Sequence, residues 1–135
     1  MLLSSVLQWR KKVRRKPANR VSMQAINVTR NRVLAERLAV ADTFFSRLIG
    51  LMGRRHLSSG EGLWICPCQS IHTMWMRFTI DVLFLDKDRS VIHLAEKMKP
   101  FRISKHLSKA CSAIELPAAT VELTGTRLGD RLEFI

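Results

Sequence analysis

Apolar and polar positions along this chain follow mostly the two-residue period of strands. Val21 to Val28 reads as a strand. Thr29-Arg30-Asn31-Arg32 reads as a tight turn, because Asn tolerates a positive φ. Val33 to Val40 is the return strand, although its pattern also permits a helix. A helical period then takes over. Asp42 or Thr43 is placed to cap it, and Phe44, Phe45, Leu48, Ile49, Leu51 and Met52 make one apolar face. Arg47 and Arg54 lie off that face, and Gly53 is the stop. Residues 54–62 are a loop with Ser58 to Gly62 at its tip.

From Leu63 onward the pattern is β again. Residues 63–65 and 69–76 form short strands on either side of a Cys66-Pro67-Cys68 kink, and Ile80 to Leu85 is a strongly hydrophobic strand. Asp86 to Arg89 turns, and Ser90 to Ala95 returns. Residues 96–110 form a basic loop containing Pro100, and Ser112 to Leu116 is another strand. Pro117 opens one turn of helix that Gly125 closes. Leu128-Gly129-Asp130 leads into a last strand, Arg131 to Ile135. No internal repeat is visible.

A length of 135 residues fits one domain, and 47% hydrophobic residues are enough for a real core. The formal charge of +12 is uneven. Residues 1–22 hold seven basic residues and no acids, which leaves 16 basic against 11 acidic residues and a net +5 for the remainder. The basicity therefore belongs largely to an N-terminal extension over residues 1–22, apart from a domain over 23–135. Cys66, Cys68 and Cys111 make an odd count, with the first two too close for an easy disulfide. That usage fits a reducing cytoplasm. No apolar run approaches the roughly 18 residues of a transmembrane helix.

Chemistry is concentrated between Cys66 and Met76. As a strand, this run places Cys66, Cys68, Ser70, His72, Met74 and Met76 on one face. Thiols and an imidazole together suit zinc or copper(I), so Cys66, Cys68 and His72 are candidate metal ligands. The single Cys-x-Cys has no second ligand pair, however, and the same residues also suit packing and hydrogen bonding. A Cys68 nucleophile with His72 as base needs hydrogen-bond reach, and four residues along a strand span about 13 Å. A polar cluster of Arg47, Ser70, His72, Thr73 and Asp81 reads better as a ligand site, with Arg47 as the anion anchor and His72 as a donor. The competing reading is an internal Arg–Asp or His–Asp pair. Glu115 is the other acid embedded in an apolar strand. Lys97, Lys99, Phe101, Arg102, Lys105 and Lys109 make a second basic patch, and with Phe101 it suits a nucleic-acid backbone or an anionic surface.

Several pieces also match one family in order: Arg47-x-x-Gly50-Leu51-Met52-Gly53-Arg54, Gly62-Leu63-Trp64, Cys68-x-Ser70-Ile71-His72-Thr73, Met76-Arg77-Phe78-x-Ile80-Asp81-Val82-x-Phe84-Leu85-Asp86, Glu115-Leu116-Pro117-Ala118 and Gly129-Asp130-x-Leu132. The chain thus resembles the domain of unknown function 192 family of small prokaryotic proteins, from about residue 24 to residue 135. The resemblance implies a compact, mainly β domain, a small barrel-like or sandwich sheet with one or two short helices. It implies no reaction and no cofactor. Thr79 stands where the family pattern has Pro, and Ala119 where it has Gly. Because the match begins just after Met23, translation is expected to start there. The function expected is a non-enzymatic accessory module that binds a small molecule or a protein. The alternatives are a metal-dependent or thiol enzyme using the Cys66–Asp81 region, and a nucleic-acid or membrane-surface binder acting through residues 10–20 and 97–109.

Overall fold

The all-apolar pattern around Ile80 has a structural meaning: β4 (Ile80–Leu85) is buried at every position. A strand apolar on both sides must be covered on both sides, and the rest of the fold supplies two layers. In this computed structural model, which describes residues 23–135, the other elements are β1 (Met23–Asn27), β2 (Arg32–Ala41), α1 (Phe44–Ile49), β3 (Glu61–Ile65), β5 (Val91–Met98), β6 (Ser112–Pro117), α2 (Thr120–Thr124) and β7 (Leu132–Phe134). The basic extension expected over residues 1–22 lies outside the described residues.

The seven strands form one sheet in the order β5-β4-β6-β3-β2-β1-β7. All neighbours are antiparallel except β2 and β3, which run parallel with Arg37 opposite Glu61 and Ala41 opposite Ile65. A parallel pair needs a crossover, and α1 with the following loop provides it. The sheet curls until its edge strands meet at one corner. There Ser90 pairs with Arg131, Val91 N–H donates to the Asp130 carbonyl at 2.8 Å, and Leu132 N–H donates to the Arg89 carbonyl at 2.9 Å. The result is a half-barrel closed at one end. It agrees with the mainly β class expected from the sequence.

Alternation along β4 sorts the core. Leu83 and Leu85 join Leu34, Leu38, Ile114 and Leu116 on one face. Ile80, Val82 and Phe84 join Leu51, Leu63, Ile65, Ile71 and Met76 on the other, beneath the loops. Glu115 shares the face of Val82 and Leu63, its partners on the neighbouring strands. A carboxylate is thereby built into the floor of an apolar layer.

The structure corrects four local expectations. First, the helix ends at Ile49, because Gly50 adopts φ +45° there. Phe44, Phe45 and Leu48 are 67%, 64% and 49% exposed, so the expected apolar face does not face the core as a unit. The chain reverses after the helix and buries Leu51 instead. Second, residues 69–76 are not a strand, and only His72 makes a bridge, to Ile103. The segment is hydrogen-bonded to the 101–107 loop at Gln69, Ile71 and Thr73, and Trp75 turns the chain at φ +62°. The one-face alignment of Cys66 to Met76 is lost with the strand. Third, β5 runs on to Met98, so the basic loop begins later. Fourth, Pro117 ends β6 and does not open α2, since Ala119 reverses the chain in the left-handed region at φ +71° before the helix begins.

Candidate functional site

A cleft of about 340 Å3 opens between α1, the Pro67–His72 loop and the sheet, with Glu115 in its wall. Local sequence sets this arrangement. Thr43 and Ser46 form a capping box: Thr43 Oγ1 accepts Ser46 N–H at 3.1 Å, and Ser46 Oγ accepts Thr43 N–H at 2.9 Å. The box fixes where α1 starts and so aims Arg47 at the loop. Arg47 Nη1 donates to the Pro67 carbonyl at 3.1 Å and ties the helix to the Cys-Pro-Cys segment. Gly50 brings the backbone close to the floor, where a Cβ would lie 3.8 Å from Glu115 Oε2.

Two atoms define the chemistry of the cleft. Arg47 Nε and Glu115 Oε2 are both withdrawn from solvent, and neither has a hydrogen-bond partner among the described residues. Trp64 Nε1 is the other such atom among the described residues, and Trp64 does not line this cleft. Burial in the apolar layer pushes the Glu115 carboxyl up to about 8. It is therefore mostly a neutral acid at pH 7, able to donate as well as accept.

Cys68 and Ser70 line the same cleft, as does His72. Burial raises the Cys68 thiol to about 11; a backbone hydrogen bond at Ser70 opposes this, Glu115 adds to it, Arg47 opposes it and Cys66 adds to it. The Cys68 thiol donates to the Ser70 carbonyl at 3.1 Å. His72 Nδ1 accepts Met74 N–H at 3.3 Å, which assigns the proton to Nε2, the nitrogen 3.1 Å from the Leu48 carbonyl. Each partner of the alternative Cys68–His72 dyad is thus engaged elsewhere. A protonated thiol is also a poor nucleophile, so the structure gives no support to the thiol-enzyme alternative. Among the described residues, no three His, Cys, Asp or Glu side chains are grouped to hold a metal ion.

Arg47, Ser70 and His72 are therefore brought together, whereas Thr73 and Asp81 are placed elsewhere. Thr73 is fully buried; its hydroxyl donates to the Lys99 carbonyl at 2.6 Å and accepts Arg102 N–H at 2.9 Å. Asp81 is also fully buried. Its Oδ1 accepts Lys97 N–H and its Oδ2 accepts Val121 N–H, both at 2.9 Å. The second bond serves α2 as a cap, since Ala119 at the N-cap position has no side-chain bond of its own. Both residues do structural work, and neither lines the cleft. Glu115 was absent from the ligand set read from the sequence. The signal for it was its place as the sole acid within the Ser112–Leu116 run.

Relatives and solved structures resemble the chain along most of its length. A UPF0127 protein of Thermococcus sibiricus is 32% identical over 114 residues, covering 81% of this chain and 73% of that protein. The crystal structure of a protein of unknown function from Novosphingobium aromaticivorans superposes with a TM-score of 0.72 at 20% identity, over 83% of each chain, a likeness of fold. A Sinorhizobium meliloti protein, crystallised as a proposed transcription regulator, gives a TM-score of 0.70 at 25% identity, over 83% of this chain and 91% of that one. The family model DUF192, described as an uncharacterized ACR, matches residues 25–134, and the chain belongs to that family.

Proposed function

We propose that this protein is a non-enzymatic binding module whose cleft takes a small carboxylate-bearing molecule. The observation that carries the reading is the pair of unpartnered buried atoms, Arg47 Nε and Glu115 Oε2, in the walls of one cleft. Leaving a buried polar group unpaired costs about 1–3 kcal/mol, and here two such costs fall at one place. A carboxylate offers acceptors to both groups: Arg47 supplies the charge-assisted donor, and the neutral Glu115 acid supplies an O–H. Leu48, Ile65 and Met76 provide apolar surface for the rest of the ligand. His72 and Cys68 are already satisfied and act as wall rather than as reactive groups.

The test maps amide chemical shifts of the full chain with acetate, propionate and benzoate beside the matching neutral amides. The reading expects the carboxylates to shift residues 47–52 and 68–72, with the response lost in Arg47→Gln. Equal response to the amides, or shifts confined to other surfaces, would overturn it.

A further inference from the structure

Two loops remote from each other in sequence are stitched into one tip. Phe101 N–H donates to the Thr73 carbonyl at 3.0 Å, and Thr73 N–H donates to the Arg102 carbonyl at 2.8 Å. The buried Thr73 hydroxyl joins Lys99 and Arg102 as described above. The tip presents Trp75 at 65%, Phe101 at 49% and Ile103 at 74% exposure. The Trp75 and Phe101 rings meet edge to face, with centroids 5.5 Å apart. Both aromatic residues sit at positive φ, 62° and 60°. Such backbone is costly for bulky L-residues and persists only where the surroundings enforce it. The strain serves no burial, since the side chains it directs stand in solvent.

The two chain segments that build this tip carry charge of one sign. No acidic residue falls within 69–80 or 97–114, and Arg77, Lys99, Arg102 and Lys105 are all exposed. Trp75, Phe101 and Ile103 are not part of the cleft wall, so this surface is separate from the ligand reading above.

We infer that the tip docks on an anionic lipid surface. Indole rings settle at the headgroup level of a bilayer, while Phe and Ile side chains enter the boundary below it. The surrounding Lys and Arg residues are then held against anionic headgroups. Single-stranded nucleic acid fits the tip less well. Ile103, its most exposed member, offers no face for a base, and the edge-to-face contact of Trp75 with Phe101 covers part of the stacking surface.

The experiment is sedimentation of the full chain with phosphatidylcholine vesicles, with and without phosphatidylglycerol, across a salt series. Two variants accompany it: Trp75→Asn/Phe101→Asn/Ile103→Ser, and Lys99→Gln/Arg102→Gln. Asn accepts positive φ, so the first variant keeps the turns, and a melting curve verifies its fold. If it does not fold, the charge variant carries the test. The expected result is salt-sensitive binding to phosphatidylglycerol vesicles only, with a blue shift of tryptophan emission that is absent in the first variant. Partitioning should fall about tenfold or more in the first variant, and roughly fivefold for each basic residue lost in the second. Three results would overturn the inference: no binding by the unaltered chain, equal binding by the unaltered chain and both variants, or tighter binding of oligouridylate than of vesicles that is lost in the same variants.

Discussion

Replacing Glu115 by Gln tests whether a neutral acid sits in the floor of the cleft. The carboxyl is raised from its ordinary value of 4.5 to about 8 by burial. At about 1.4 kcal/mol per pH unit, ionising it inside the fold costs on the order of 5 kcal/mol. Between these two values the folded chain holds a proton that the unfolded chain has released. Stability therefore falls as pH rises through this window and levels off above about 8. By pH 7 the accumulated loss is roughly 3 kcal/mol, a large part of the 5–15 kcal/mol that typically holds a domain together. Gln has nearly the same shape and never ionises. Near pH 5 the two proteins should agree within about 1 kcal/mol, and near pH 8 the variant should be the more stable by several kcal/mol. Urea unfolding of both at a series of pH values reads the difference. Every other titratable group is common to both proteins and cancels in the difference. Cys68, raised from 9.0 to about 11, titrates above the window. Asp130 lies below it: burial raises its pKa, but bonds from Arg30, Asn27 and the Arg127 N–H outweigh that and hold the carboxyl under its usual 3.8. A difference curve that stays flat from pH 5 to 8 would refute a buried, desolvated Glu115.

Three further outcomes are expected. Ala119→Gly should stabilise the protein by about 0.5–1 kcal/mol, because a left-handed residue with a Cβ is strained where Gly is not; a melting temperature that does not rise counts against the φ of +71° at that position. Asp81→Ala should cost roughly 2–4 kcal/mol by stranding the Lys97 and Val121 N–H groups, whereas Asp81→Asn should cost less, and carboxylate-induced shifts at the cleft should persist in Asp81→Asn. Iodoacetamide at mildly alkaline pH should label the exposed Cys111 well before Cys68, and peptide mass mapping that found equal rates would show that Cys68 is not held as a thiol.

Strand positions were legible wherever burial on a sheet was the only demand on the residues. Ile80–Leu85 and the turn after it stand where the apolar run ends at Asp86, and Asn31 occupies its turn at φ +54°. The family resemblance also gains a physical reason at one of its departures. Ala119 occupies a left-handed position, where Gly is the unstrained choice. Legibility failed where long-range bonds outvote local pattern. The Cys66–Met76 run alternates like a strand, yet its partners are loop residues about thirty positions away, such as Ser104 with Ile71 and Arg102 with Thr73. The face predicted for α1 failed for a related reason, since a six-residue helix on the rim has no layer to cover Phe44 and Phe45.

The sequence by itself determined the mainly β class, most strand positions, the family, and the presence of polar residues embedded among apolar ones. Those properties follow from local period and composition. Only the tertiary structure decided which polar residues share a site. Asp81 looked like a ligand because it heads an apolar strand, but the fold places two backbone N–H groups against it and uses it as a cap. Glu115 occupies a comparable place in sequence, yet curling of the sheet and the crossover through α1 bring it beneath a cleft with no partner for Oε2 among the described residues. Hydrogen-bond satisfaction depends on what the whole chain places within about 3 Å, and no local pattern carries that information.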